Sequence, residues 1–215
     1  MIECIRGHKT KSGLKRVYIL YTPISISTLK KHTNAIQIRG QCASGCSNYN
    51  RKWSCPPHSK TFDTICKEFD SALLICMYMD VSEFDFIQHK YQKIRAANMV
   101  LKSLSNKASR NLEEYLEGYA LLNGSCNLCN PCNGKLGLPC KKKDLMRYSL
   151  ESTGINVETL LIECMNLKLQ WYEKNCMPEY TSVVSCILYR ENTNFDMMRE
   201  VEEILDELSV RLPFC

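Results

Sequence analysis

The chain has 215 residues, 14 of them cysteine, and a formal net charge of +5. This length suits one domain over 1–215. No apolar run reaches the about eighteen residues of a membrane span, and the charge is too small and dispersed to argue for nucleic acid. Residues 1–8 lack the apolar core of a signal peptide, so the expectation is a cytoplasmic protein. In that reducing compartment, clustered cysteines bind metal or do redox chemistry rather than pair.

The elements predicted along the chain are of mixed α/β type. Residues 16–21 are β-branched and aromatic and predict a strand. Residues 36–58 hold Gly40, Gly45, Pro56 and Pro57 among cysteines and read as an irregular ligand loop. Residues 61–69 are compatible with a helix, and 72–79 form a nearly continuous apolar run that suits a buried central strand. A helical region follows over 82–122, with Ser82 and Asp85 spaced as a cap and Ser105-Asn106 expected to break it in two. Leu112, Tyr115, Leu116, Tyr119 and Leu122 recur at helical spacing, and Asn123-Gly124 reads as the helix stop. Asn156 is placed to cap a helix running to about residue 166. Strands are expected at 168–172 and 182–189. Asn194 is the expected cap of a last helix with a Phe195, Met198, Val201, Ile204, Leu205 and Leu208 stripe. This alternation predicts a small central sheet with flanking helices and irregular cysteine-rich loops.

Seven cysteines fall into two groups. One is Cys126-x2-Cys129-x2-Cys132-x7-Cys140. Structural zinc sites use a C-x2-C pair and a distant second pair, because four ligands must close on one ion. The C-x2-C-x2-C triplet instead sets successive thiols around a wider object, as in ferredoxin-type [4Fe–4S] runs. Pro131 and Pro139 restrict the turn, while Gly134 and Gly137 permit positive φ. The other group is Cys42-x3-Cys46-x8-Cys55, followed by Pro56-Pro57. Three thiols leave a fourth position to another residue, such as His58 or Cys66, or to substrate. The two groups sharing one cluster is a further alternative, and zinc stays an alternative for both. Trp53 is placed to shield such a site or to pack in the core. Each four-thiolate cluster carries about two negative charges, so two would bring the protein near neutrality. The Lys141-Lys142-Lys143 run beside Cys140 is either a solvated loop or a neutralising and docking feature.

The other seven cysteines, Cys4, Cys66, Cys76, Cys164, Cys176, Cys186 and Cys215, have no cluster spacing. Cys76, Cys164 and Cys186 read as small core hydrophobes. Phosphate-binding, dinucleotide, hydrolase and zinc-protease motifs are absent, and the four histidines are scattered.

Taken together, these residues resemble a prokaryotic family of predicted metal-binding proteins of iron–sulfur type. The resemblance is carried by Cys42-x3-Cys46, Trp53-Ser-Cys55-Pro-Pro57 and Gly118-Tyr119, by Gly124-x-Cys126-x2-Cys129-x2-Cys132 with Cys140, and by Arg147-Tyr-Ser149-Leu-Glu151-Ser-Thr-Gly154-Ile-Asn-Val157. It covers about 40–160. The chain departs from the family pattern at Lys141, Tyr148, Leu150 and Asn156, where the pattern has Arg, Pro, Met and Asp. The resemblance implies metal binding and supplies no substrate. Glu151 is close enough in sequence to the second group to move protons there, or is structural.

The expectation is a protein with one or two [4Fe–4S] clusters on Cys42, Cys46, Cys55, Cys126, Cys129, Cys132 and Cys140. It would pass electrons to a redox partner protein. The alternatives are an enzyme with an open iron at the three-cysteine group and a structural zinc module.

Overall fold

In the computed structural model, which describes residues 1–173, 176–191 and 196–212, the apolar run at 72–79 is the middle of the fold. It is strand β3 (Ser71–Asp80), and both of its faces are buried. Leu73, Ile75, Met77 and Met79 point to one side, and Ala72, Leu74 and Cys76 to the other. A strand reads as continuously apolar when both faces of its sheet are covered.

The other strands are β1 (Ile2–Thr10), β2 (Gly13–Ser25), β4 (Tyr119–Leu121), β5 (Tyr180–Tyr189) and β6 (Val210–Arg211). They form one antiparallel sheet in the order β4-β5-β3-β2-β1-β6. The expected strand at 16–21 lies within β2, and the one at 182–189 within β5. The first hairpin partner, β1, carries no strong strand signal in the sequence. Residues 168–172 are not a strand.

Helices cover both faces. They are α1 (Ile26–Lys31), α2 (Ala35–Gly45), α3 (Phe62–Ile65), α4 (Lys90–Tyr115), α5 (Leu150–Thr153), α6 (Val157–Met165) and α7 (Met197–Leu208). Helices α4 and α7 build one core with Ile19, Ile75 and Ile187. Helices α1, α3, α5 and α6 build the other with Leu74, Cys76 and Cys186. A buried polar knot fixes α7 to the sheet, where Glu202 accepts from Arg6 and Tyr21. The expected cap Asn194 and the stripe residue Phe195 lie outside the described residues, and Asp196 caps α7 by accepting from Arg199 N. Asn156 caps α6 as expected, accepting from Thr159 N.

Several further expectations are corrected. First, Ser105-Asn106 does not break α4. Ser105 and Ser109 are one turn apart, are buried, and donate to Ser185 of β5 at 3.3 and 2.8 Å. Polar residues that suggested a break instead serve a helix-to-sheet contact. Second, the helix ends earlier, at Tyr115, and the chain turns through Glu117 (φ 46°) and Gly118, where a Cβ would meet the Leu188 carbonyl. Tyr119 to Leu121 then pair with β5, so the cysteine turn follows a strand and Asn123-Gly124 is no helix stop. Ser82 and Asp85 belong to a short 3-10 turn without a side-chain cap. Third, 36–58 is not wholly irregular, because its first part is α2. Asn34 caps α2 by accepting from Gln37 N at 3.1 Å.

The last turn of the fold that bears on function is α5. Ser149 and Ser152 form a reciprocal capping box, and Gly154 stops the helix at φ 103°. A Cβ on Gly154 would lie 2.6 Å from Ala35 Cα. Asn34 N donates to Gly154 O at 2.8 Å, and Asn156 N to His32 O at 2.9 Å. This contact presses the start of α2 against α5. Gly154→Ala therefore combines left-handed strain with a backbone clash. It is expected to destabilise the protein by more than about 2 kcal/mol, read as a lower denaturant midpoint.

Candidate metal centre

The spacing of Cys42 and Cys46 is explained by α2. Residues four apart share one face of a helix, and Cys46 N closes the last turn on Cys42 O at 3.1 Å. From Cys46 the chain folds through consecutive tight turns: Tyr49 N donates to Cys46 O, Arg51 N to Asn48 O and Cys55 N to Lys52 O. Asn50 N donates back to Pro56 O at 2.9 Å. Arg39 of α2 donates to the Pro57 and Ser59 carbonyls, and Ser59 Oγ to Ser152 O. These bonds bring Cys42, Cys46 and Cys55 around one cavity of about 250 Å³, with Ser149 and Glu151 of the α5 turn on its wall.

The second group lies on the same turns. Cys126 N donates to the buried Ser54 Oγ at 2.9 Å. Lys52 Nζ donates to Ser125 Oγ, Cys126 O and Asn127 Oδ1 at 3.0, 2.9 and 2.7 Å. Gly134 permits a backbone crossing, since a Cβ there would lie 3.0 Å from Trp53 N. Trp53 Nε1 donates to Leu138 O at 2.8 Å, and Asn133 Nδ2 to Pro139 O. In consequence Cys126, Cys129, Cys132 and Cys140 line a single narrow cavity with Trp53, Lys142 and Met146. None of these four cysteines lies in a regular element.

The two cavities are separate and adjacent. Trp53 faces the four-cysteine cavity and Cys55 the three-cysteine one. Ser54 between them lies 3.9 Å from the Cys55 sulfur. A single cluster shared by both groups does not match this arrangement. Neither suggested fourth partner lines the three-cysteine cavity. Cys66 is buried in the apolar core, and His58 packs on the Trp53 ring at 4.6 Å. Glu151 lines that cavity instead. Its relation to the first group rather than the second is a consequence of the α2–α5 contact, which sequence separation conceals.

The remaining described cysteines are unpaired. Cys4, Cys76 and Cys186 are buried, Cys164 is half-buried and Cys176 exposed. Cys215 lies outside the described residues. Of the three consecutive lysines, Lys142 reaches the four-cysteine cavity.

Burial pushes the Cys55 thiol up to about 11, although Ser54 opposes the shift by hydrogen bonding. Burial also raises Cys42, and the neighbouring Cys46 and Glu151 charges add to it. Without metal these thiols hold their protons, so metal binding must release them. Among the described residues, no three His, Cys, Asp or Glu side chains are gathered tightly enough to hold a single ion. The sulfurs ring cavities rather than meet at a point.

The family model described as predicted metal-binding protein (DUF2284) matches residues 28–189. The chain belongs to this family. All seven motif cysteines and Glu151 fall inside the matched span. No curated protein and no solved structure matches the chain. No helix among the described residues is long and apolar enough to cross a membrane.

The stretch that follows Cys140 is braced from behind by Glu113 of α4. Its carboxylate accepts from Arg110 at 3.1 Å, from Arg147 and from Ala120 N at 2.7 Å. Arg110 and Arg147 in turn donate to the Leu145 and Asp144 carbonyls, each at 2.6 Å. Glu113→Ala would leave two guanidinium groups without their shared anion. The expected cost is about 3–5 kcal/mol, measured by chemical denaturation.

Proposed function

We propose that this protein carries two adjacent iron–sulfur centres of the [4Fe–4S] type and transfers electrons to a partner. The observation that carries the reading is the sorting of seven motif thiols into two neighbouring cavities, four in one and three in the other. The donor chemistry fits. Thiolates are soft ligands suited to iron–sulfur clusters, and the four-cysteine loop is irregular backbone able to open around a cluster. When bound, such clusters exchange single electrons at potentials set by charge, hydrogen bonds and solvent access.

The chain supplies those settings. Cys126, Cys129, Cys132 and Cys140 are the proposed ligands of one centre, and Cys42, Cys46 and Cys55 those of the other. Lys52 and Lys142 place positive charge beside the four-cysteine group. Trp53 lines the same cavity and donates to the Leu138 carbonyl. Around the same loop, Leu128, Leu136, Leu138 and Leu145 are exposed beside the three lysines. This mixed apolar and basic surface suits transient docking of an acidic redox partner.

A second reading is favoured at the three-cysteine group. A groove of about 480 Å³ reaches Cys42, Cys46 and Glu151 between walls that include Ile38, Val157 and Trp171. Its size and apolar lining are those of a small-molecule site. An enzyme acting at that centre would use this approach.

Protein purified without oxygen should be brown and contain about eight iron and eight sulfide per chain, from two four-iron centres. Cys55→Ser and Cys132→Ser should each lose about half of both. A colourless protein with stoichiometric zinc and no sulfide would overturn the proposal.

A further inference from the structure

The three-cysteine cavity lacks a fourth thiol, and no histidine lines it. It does have one carboxylate, Glu151. That residue stands in the first turn of α5, fixed by the Ser149–Ser152 capping box on one side and by the Gly154–Ala35 contact on the other. Among the described residues, no hydrogen bond or ion pair engages the Glu151 carboxylate. Its charge acts on the neighbouring Cys42. Other oxygen donors on the wall are less free. Ser149 is held by the capping box, and Ser125 accepts from Lys52. The phenol of Tyr49 and the amide oxygen of Asn48 are the remaining competitors on this wall.

Glu151 also lines the groove that leads to the cavity. A molecule coming along the groove therefore meets this side chain beside Cys42 and Cys46. Carboxylate oxygen is a hard donor, and soft ligands are preferred at iron–sulfur sites. An oxygen ligand here would be the most readily replaced of the four.

Building on the two-centre reading above, we propose that Glu151 is the exchangeable fourth ligand of the Cys42, Cys46 and Cys55 centre, yielding its place to a soft-donor molecule that enters by the groove. Among the described residues, the groove's other carboxylate is Glu158, so the walls disfavour anions. The entering molecule is uncharged at its apolar end and carries a thiol. Its proton passes to the released carboxylate, and no electrons are exchanged.

The test compares wild type, Glu151→Gln, Glu151→Ala, Glu151→Cys and Tyr49→Phe, all as full chains purified without oxygen. Glu151→Gln and Glu151→Ala should each lose about one iron in eight, with an electron paramagnetic resonance signal of a three-iron centre after oxidation. Glu151→Cys should keep the full iron content. Ethanethiol should perturb the signal of reduced wild type, mercaptoacetate much less, and neither should perturb Glu151→Cys. Full iron content with an unchanged spectrum in Glu151→Gln would overturn the inference. So would a three-iron centre appearing in Tyr49→Phe instead. Wild type free of iron and sulfide would remove the two-centre reading itself, an outcome distinct from either. Glu151→Gln preserves side-chain shape, so its result stands even where Glu151→Ala fails to fold.

Discussion

The buried hydroxyl of Ser54 accepts the Cys126 N–H at 2.9 Å and lies 3.9 Å from the Cys55 sulfur. Through it, two cysteine groups separated by some seventy residues become neighbours. Other contacts reinforce the same seam. Lys52 binds three oxygens of the 125–127 segment, and Gly134 lets the second loop cross the backbone of Trp53. The turns at 46–59 thus act as a shared floor: the first group is built into them, and the second is laid upon them. A buried donor left without its acceptor costs about 1–3 kcal/mol, so this seam has little freedom to slide.

The two halves of the site differ in character. The four-cysteine cavity is narrow, backed by Trp53 and surrounded by exposed leucines and lysines. The three-cysteine cavity is wider and continuous with a groove. In the function proposed above, the first would meet a partner protein and the second would admit a small molecule.

The sequence made the middle of the sheet legible because β3 is buried on both faces, which leaves no polar alternation to confuse the pattern. Helix α6 was legible from its Asn156 cap. Helix α2 was not. It buries only Ile38, exposes Ile36, and contains two glycines, so it has almost no amphipathic signal. The x3 spacing of Cys42 and Cys46 was the available clue, since it is a helical repeat. The false break at Ser105 arose because buried serine bonding to another element looks, in sequence, like solvent-facing serine. The grouping of the seven thiols was read from spacing, and the structure sets each group on a cavity of its own. The carboxylate at Glu151 needed the fold, because it joins the first group only through the contact between Gly154 and Ala35.

Trp53, Ser54 and Cys55 occupy three consecutive positions: the first two line the four-cysteine cavity, where Ser54 also holds Cys126 N, and the third lines the other cavity. The segment is therefore indexed residue by residue. One residue inserted there would rotate every following side chain to a neighbouring role, taking the Cys55 sulfur from its cavity and Ser54 from Cys126. By contrast, the stretch at 141–145 is tied through backbone carbonyls, which any residue supplies. Tolerance to insertion should differ sharply between two loops of similar appearance, and chain length, more than residue identity, is the quantity held fixed at Ser54.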